Sequence, residues 1–409
     1  MIKNKRSISY ALLGHIYEHY ENTLFSFMAP FIAAIFSSSL QENRINVYAA
    51  VASGFLLRPF GAILFSWIGD KYGRKKALIY SVTLSVIPST LIGLLPSYTM
   101  IGIWSFILLI FSRLLQGVSV GGGFYATLTF VSETTTSARK NLFLGITLSM
   151  GFVGAILGTV CSSYFMSDRF PVWGWRIPFL IGALYGMTLF FLRNIVQESK
   201  QWESSKHSDS RLPFLEAIRL YPSNIIATLF FGMALLIPFY LAASWLPGHI
   251  KDTFNLSTSH NLMISSLLML TSGLGIVFFS WLLTWIKPKV MLIASWFMGI
   301  ISFITLFRAI NNHDYQLILV MQFFIALHTA LQGAPALATI QQLFPIKYKF
   351  SGFAVPFSIG QALLIGTTPL LCELISHYTQ NPANVSYLLL LTVGLVVMGT
   401  LLAKPMREK

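Results

Sequence analysis

Apolar runs of about 20 residues recur along the whole chain, separated by short segments rich in charged residues, Pro, Gly and Asn, and this alternation limits the fold more than any other feature. A helix of that length crosses the hydrocarbon core of a bilayer. Only elements that satisfy their own backbone hydrogen bonds persist there. The runs fall at 10–36, 46–69, 77–96, 101–131, 142–165 and 174–194, then at 224–249, 261–285, 290–310, 315–340, 351–375 and 385–403. The expected fold is an all-α membrane protein with twelve transmembrane helices in two six-helix bundles, 1–196 and 222–409. The polar segment 197–221, which carries Glu198, Lys200, Glu203 and Glu216 among others, is the expected cytoplasmic linker.

Composition excludes a soluble protein. Charged residues are 10% of the chain and hydrophobic ones 55%, against about 25% charged in soluble domains. The net charge of +14 raises the question of nucleic acid. The bases lie between apolar runs, however, so membrane orientation explains them better. With the N-terminus inside, 21 of the 28 bases fall on cytoplasmic segments, Lys71, Arg74, Lys75, Lys76, Arg139 and Lys140 among them. Both termini are therefore expected in the cytoplasm. The basic start, Met1 to Ser9, leads into an apolar run without a cleavage signal, and it reads as a first span. Cys161 and Cys372 are far apart in apolar surroundings, so neither a disulfide framework nor a metal site is expected.

Ionisable residues inside a span are costly and usually face a cavity or a partner. Glu18 and Glu21 lie roughly 14 to 18 Å into the first span, and Arg58 and Arg113 lie roughly 18 Å into theirs, so all four are expected to meet near the middle of the membrane. The two acids are three residues apart and share a helix face. They either carry a proton or form a salt-bridged pair that orders the bundle. Arg113, followed by Gln116 and Gly117, offers a planar fork suited to a carboxylate. In the tenth span His328, with Gln332 one turn on, either contacts substrate or packs through hydrogen bonds. Tyr240 and Trp245 follow Pro238, which is expected to kink the seventh span, and their rings can either stack on a substrate or pack. Leu115-Gln116-Gly117 recurs as Leu331-Gln332-Gly333, the kind of echo that repeat-built carriers show.

The turn Ser66-Trp67-Ile68-Gly69-Asp70-Lys71-Tyr72-Gly73-Arg74-Lys75-Lys76 joins two spans on the basic side. Asp70 and Arg74, with Glu133 and Arg139 as partners at the end of the fourth span, are expected to form a cytoplasmic gate that latches and releases. For Lys75 and Lys76 a simple topological role is expected. The turn resembles the signature loop of the major facilitator superfamily, G-x-x-x-D-[RK]-x-G-R-[RK], with Ser66 in place of the first glycine.

The resemblance extends further. Gly14-His15-Ile16-Tyr17-Glu18-His19-Tyr20-Glu21, Arg58-Pro59-Phe60-Gly61, Gln116 to Gly122, Trp173-Gly174-Trp175-Arg176-Ile177-Pro178-Phe179 and Gly366-Thr367-Thr368-Pro369 are similar to motifs of the metabolite:proton symporter family. That family includes carriers of proline and betaine, shikimate, 2-oxoglutarate and citrate. Three positions depart from its pattern: Gly123 stands where a glutamate is usual, His15 for an asparagine and Glu21 for an aspartate. The chain ends at Lys409 without the coiled coil of the osmosensory member, so gating by that device is not expected. The fifth span lacks the Gly-Pro pair of drug:proton antiporters, which argues for uptake.

The resemblance implies a proton-coupled symporter of the bacterial inner (plasma) membrane, importing a small carboxylate-bearing metabolite by alternating access. An exporter of the same fold or a non-transporting sensor are the alternatives. Proton coupling is expected at Glu18, Glu21 and Arg113, and substrate binding at Arg58, Arg113, Tyr240, His328 and Gln332. No cofactor is expected beyond the proton gradient, and the partners are the substrate, protons and the lipid bilayer, with no nucleic acid and a monomeric chain. No nucleophile constellation or metal spacing suggests an enzyme.

Overall fold

The computed structural model describes residues 5–36, 54–167, 169–204, 213–254, 258–364 and 366–406. Helices of eight residues or more are α1 (Lys5–Phe36), α2 (Arg58–Tyr72), α3 (Arg74–Leu94), α4 (Ile103–Thr134), α5 (Ser137–Phe165), α6 (Arg176–Phe191), α7 (Pro213–Leu220), α8 (Pro222–Ala234), α9 (Leu246–Phe254), α10 (Thr258–Leu282), α11 (Pro288–Asn311), α12 (Tyr315–Ile340), α13 (Lys349–Leu364), α14 (Thr368–Thr379) and α15 (Tyr387–Leu402). The described residues contain no strand. Ten stretches among them are long and apolar enough to cross a membrane, the first Arg74–Leu94 and the last Pro382–Leu402. α1, 32 residues long, is not one of the ten; it carries His15, Glu18, His19, Glu21 and Asn22. The predicted span 46–69 is described only from residue 54, and Arg44, Lys206, Asp209 and Arg211 lie outside the described residues.

Two expected spans are broken helices. In the seventh, α8 stops at Ala234, a short turn of helix runs Ile237–Tyr240, and Leu241–Trp245 is a π-helical turn before α9. Pro238, which has no N–H to give, sits in the first turn of the restarted helix. The eleventh run divides into α13 and α14. Pro369 opens the second piece, where a missing N–H is tolerated.

The chain forms two compact units: 1–136 with 150–216 and 346–355, and 137–149 with 217–345 and 356–409. In the first, Tyr20, Leu24, Phe25, Met28, Ile92, Leu109, Trp175 and Phe179 form a buried core. The Trp-Gly-Trp-Arg-Ile-Pro-Phe run supplies its corner: Trp175 meets Phe36 edge-on at 5.7 Å, and Tyr20 donates to the Pro178 carbonyl at 2.8 Å. In the second unit the core is built from Ile237, Leu241, Trp245, Leu306, Met321, Ile325 and Leu389.

α4 shows the logic of a helix whose solvent is lipid. Ile103, Trp104, Ile107 and Phe111 are exposed, while Ser112, Arg113, Gln116 and Ser119 are buried. Small residues let such helices meet closely. A Cβ on Gly61 would strike the Val118 carbonyl, one on Gly117 the Gly54 carbonyl, and one on Gly121 the Arg58 carbonyl. The Gln-Gly-x-x-x-Gly-Gly run therefore brings the backbones of α2 and α4 together and holds Arg58 and Arg113 side by side.

The turn between α2 and α3 is one residue, Gly73, at φ +112° and ψ 147°. That backbone is essentially reserved for glycine and costs other residues about 1–3 kcal/mol. A Cβ there would also meet the Glu198 carboxylate. Gly73→Ala is therefore expected to lower stability by more than Gly102→Ala, where φ is +59° but the surrounding space is open. Unfolding of the two variants in mixed micelles compares them directly; equal losses would mean that the Glu198 contact contributes nothing.

Candidate functional site

The first unit holds a buried polar cluster contributed by four helices. α3 presents Ser81, Ser85 and Ser89 at four-residue spacing, hence along one face, and all three are buried. Ser89 donates to Glu21 Oε2, and Gln116 Nε2 donates to the same oxygen at 3.1 Å. Gln116 Oε1 in turn accepts from Arg113 Nη1 at 2.7 Å. Gln116 thus bridges acid and base. Arg113 also lies over the Phe25 ring at 3.9 Å, and Arg58 over Phe55 at 3.8 Å while it donates to Asn22 Oδ1 at 2.8 Å. Ser85 and Ser119 share a hydrogen bond of 2.5 Å, and Ser119 donates to the Ser81 carbonyl at 2.6 Å. Glu21, Asn22, Arg58, Ser85, Arg113 and Gln116 line a pocket with room for about one water molecule.

The structure brings Glu21, Arg58 and Arg113 together as the sequence predicts. Glu18 is different. Residues three apart on a helix differ by about 60° in direction. That rotation sends the Glu18 carboxylate to the surface of Gly123 and the Glu21 carboxylate to Gly182. Both Glu18 oxygens are buried and unbonded among the described residues. The two acids therefore occupy separate seats, Glu18 against Gly123 and Glu21 against Gly182. The place of the absent residue-123 side chain is filled by Glu18. His15 is buried beside it, its ring 4.6 Å from His19 and 5.4 Å from Phe124.

A second cluster, also within the first unit, surrounds Arg74, which is fully buried. Its Nη1 donates to Asp70 Oδ1 at 2.8 Å and to the Gly69 carbonyl at 2.6 Å. Nε and Nη2 reach Glu133 at 3.0 to 3.2 Å, and Nη2 also reaches the Ile346 carbonyl at 2.8 Å. The remaining Asp70 oxygen accepts from the Ser351 N–H at 2.9 Å and hydroxyl at 2.5 Å. Arg139 does not join them. It is exposed and makes no ion pair with them among the described residues.

The segment after α6 docks on the same turn. Glu198 accepts from the Lys75 N–H at 3.1 and 3.2 Å, at the start of α3, and Trp202 Nε1 donates to the Asp70 carbonyl at 3.3 Å. Burial pushes the Glu198 carboxyl above its ordinary range, against the Ser199 and Lys75 N–H donors and Arg74; Glu133 adds to the rise. A carboxyl raised on docking contributes stability that is complete below its free pKa and is lost as pH rises through the docked value. Docking of 198–202 is therefore expected to tighten as pH falls from neutral toward 5. Hydrogen exchange at 198–204 across that window measures it, and Glu198→Gln should flatten the response.

In the second unit, His328 is buried against Gly299, and among the described residues neither ring nitrogen makes a hydrogen bond of good geometry. Gln332 Nε2 donates to the Ala234 carbonyl at 3.2 Å and Gln322 Nε2 to the Ala242 carbonyl at 3.0 Å, at the two sides of the break after α8. Tyr240 is half-buried beside Phe239. The carbonyls freed by the broken helix thus find side-chain donors on α12.

Sequence reading missed Asn22, Ser85, Ser89, Ser351 and Trp202 as members of these clusters. The repeat of serine at 81, 85 and 89 was a legible signal; the others have none, because their partners are distant in the chain. Among the described residues no group of three metal-ligating side chains converges.

Residues 11–349 match the family described as Major Facilitator Superfamily. A putative proline/betaine transporter of Staphylococcus aureus (strain COL) is 28% identical over 402 residues, 95% of this chain and 85% of the relative. The proline/betaine transporter of Escherichia coli (strain K12) is 27% identical over 433 residues, 98% of this chain and 83% of the relative. Among solved structures, the proton:xylose symporter XylE bound to 6-bromo-6-deoxy-D-glucose superposes with a TM-score of 0.77 at 15% identity, covering 97% of this chain and 94% of that one. A bacterial homologue of the iron transporter ferroportin gives 0.67 at 15% identity, covering 97% and 98%. These likenesses show the fold. The match over most of its length places the protein among multi-pass membrane transporters and not among enzymes: the chain belongs to the major facilitator superfamily.

Proposed function

We propose that the chain is a proton-coupled secondary active transporter that imports a small carboxylate-bearing metabolite. The observation that carries this reading is the Glu21–Gln116–Arg113 relay: a buried carboxyl joined to a buried guanidinium by one amide, beside a pocket that also receives Arg58. Burying an unpaired charge is costly, so an acid and a base connected in this way can exchange partners as a proton and a substrate come and go. Arg58 and Arg113 are the carboxylate-binding groups. Glu21 carries the proton, with Glu18 as a second acid in a seat of its own. Asp70, Arg74 and Glu133 gate the loop, while Tyr240, His328 and Gln332 are the second half's candidates for substrate contact.

The proposed topology has twelve membrane-spanning helices with both termini cytoplasmic, the halves 1–196 and 222–409 joined by 197–221, in a bacterial inner (plasma) membrane. The chain works as a monomer and needs no cofactor. Among carboxylate-bearing metabolites an amino acid or betaine-type zwitterion leads, because the relatives named above are proline/betaine transporters at 27 and 28% identity. Uptake of labelled organic acids, amino acids and betaines into vesicles with an imposed inward proton gradient tests the reading. Accumulation of one class, abolished by a protonophore, is expected; efflux driven by the same gradient would make the protein an exporter, and binding without movement a sensor.

A further inference from the structure

The outer face of α2 changes character along its length. Phe60, Ile63 and Leu64 are exposed, at 66%, 43% and 44%. With Trp67 and Lys71 they follow the spacing of a single helical stripe. Four apolar or aromatic positions in a row on an outward face suit acyl chains. At the loop end the stripe finishes in a compact group of rings and cations. Trp67 meets Tyr72 edge-on at 5.4 Å. The Lys71 ammonium lies 5.5 Å from the Trp67 ring and 5.4 Å from the Tyr72 ring, and Lys76, from the start of α3, lies 5.6 Å from Tyr72.

Two ammonium groups are thus held against one ring. Neither lysine has an ion pair among the described residues. The ring quadrupole favours each cation separately, but the cations repel one another, and an anion received between them removes that repulsion. Tyr and Trp favour the depth of the lipid headgroups, where such an anion is abundant as phosphate. Lys75, between them in sequence, has its N–H committed to Glu198 and makes none of these ring contacts.

We propose that Trp67, Lys71, Tyr72 and Lys76 form a headgroup site for an anionic phospholipid, whose acyl chains lie along Phe60, Ile63 and Leu64. The phosphate sits between the two ammonium groups, and the rings flank the glycerol. The lipid source is favoured over free phosphate because the cations terminate an acyl-facing stripe. This site stands whether or not the transport reading above holds.

The test uses the full chain, purified in mixed micelles of equimolar phosphatidylglycerol and phosphatidylcholine, with retained lipid quantified by mass spectrometry. Each surface lysine strengthens anionic-lipid binding by roughly fivefold. The double variant K71Q/K76Q is therefore expected to weaken retention of phosphatidylglycerol by about thirtyfold. Lys75→Gln should cost no more than the roughly fivefold of any surface lysine, and Tyr72→Leu should reduce the preference without touching charge. Unchanged preference in K71Q/K76Q overturns the site, and an equal loss in Lys75→Gln overturns it in favour of general charge. Displacement of the lipid by millimolar inorganic phosphate would assign the site to a free anion and overturn the lipid. Helix content of each variant, checked by circular dichroism, confirms that only the surface has changed.

Discussion

Replacing Glu21 by Gln is expected to abolish proton-driven accumulation while sparing counterflow exchange. Gln keeps the size of the side chain and can still accept from Ser89 and Gln116, so the seat against Gly182 is preserved. It cannot take up or release a proton. Each pH unit of gradient is worth about 1.4 kcal/mol per proton, or about tenfold in accumulation. Under a gradient of about two units, a one-proton symporter therefore reaches up to about a hundredfold accumulation, and the variant should equilibrate near onefold. Counterflow needs no net proton movement, because the site crosses loaded in both directions. Undiminished accumulation in Glu21→Gln would remove Glu21 from the coupling step, while loss of both activities would mean a binding or folding role.

The second large effect is expected at Arg74. Its guanidinium serves Asp70 and Glu133 together, and all three side chains are buried. Arg74→Met fills a similar volume but leaves two carboxylates out of water without their cation. Removing one member of a buried charge group costs about 3–5 kcal/mol, against roughly 0–1 kcal/mol for an exposed pair. Equilibrium unfolding in mixed micelles should show the larger loss. The triple variant Arg74→Met with Asp70→Asn and Glu133→Gln should recover much of it, since no unpaired charge is then buried. A loss below about 1 kcal/mol in Arg74→Met would show that water reaches this cluster.

These two expectations draw on different layers of the sequence. The helix positions were legible from apolar run length, because lipid imposes a minimum span on every crossing; 315–340 coincides with α12. The meeting of Glu21, Arg58 and Arg113 was legible from depth, since the rise of a helix is constant. Direction around the helix axis was less legible. Depth could not show that Glu18 turns toward Gly123 and Glu21 toward Gly182, because that depends on which neighbour packs on which face. Arg139 was placed with Glu133 by closeness in sequence; it is exposed and makes no ion pair among the described residues. Ser351 could not be found at all, being 281 residues from its partner Asp70. The breaks in the seventh and eleventh runs were half-legible, since Pro238 and Pro369 mark where a helix restarts but not how far the gap extends.

The measurement that tests the central claim most directly is proton movement itself. Vesicles holding the reconstituted chain and an internal pH dye, with no imposed gradient, receive the substrate identified by uptake on the outside. The account predicts that the lumen acidifies as substrate enters, at a rate that saturates with substrate and vanishes in Glu21→Gln. Entry of substrate without any change of internal pH, or alkalinisation of the lumen, would contradict coupled symport.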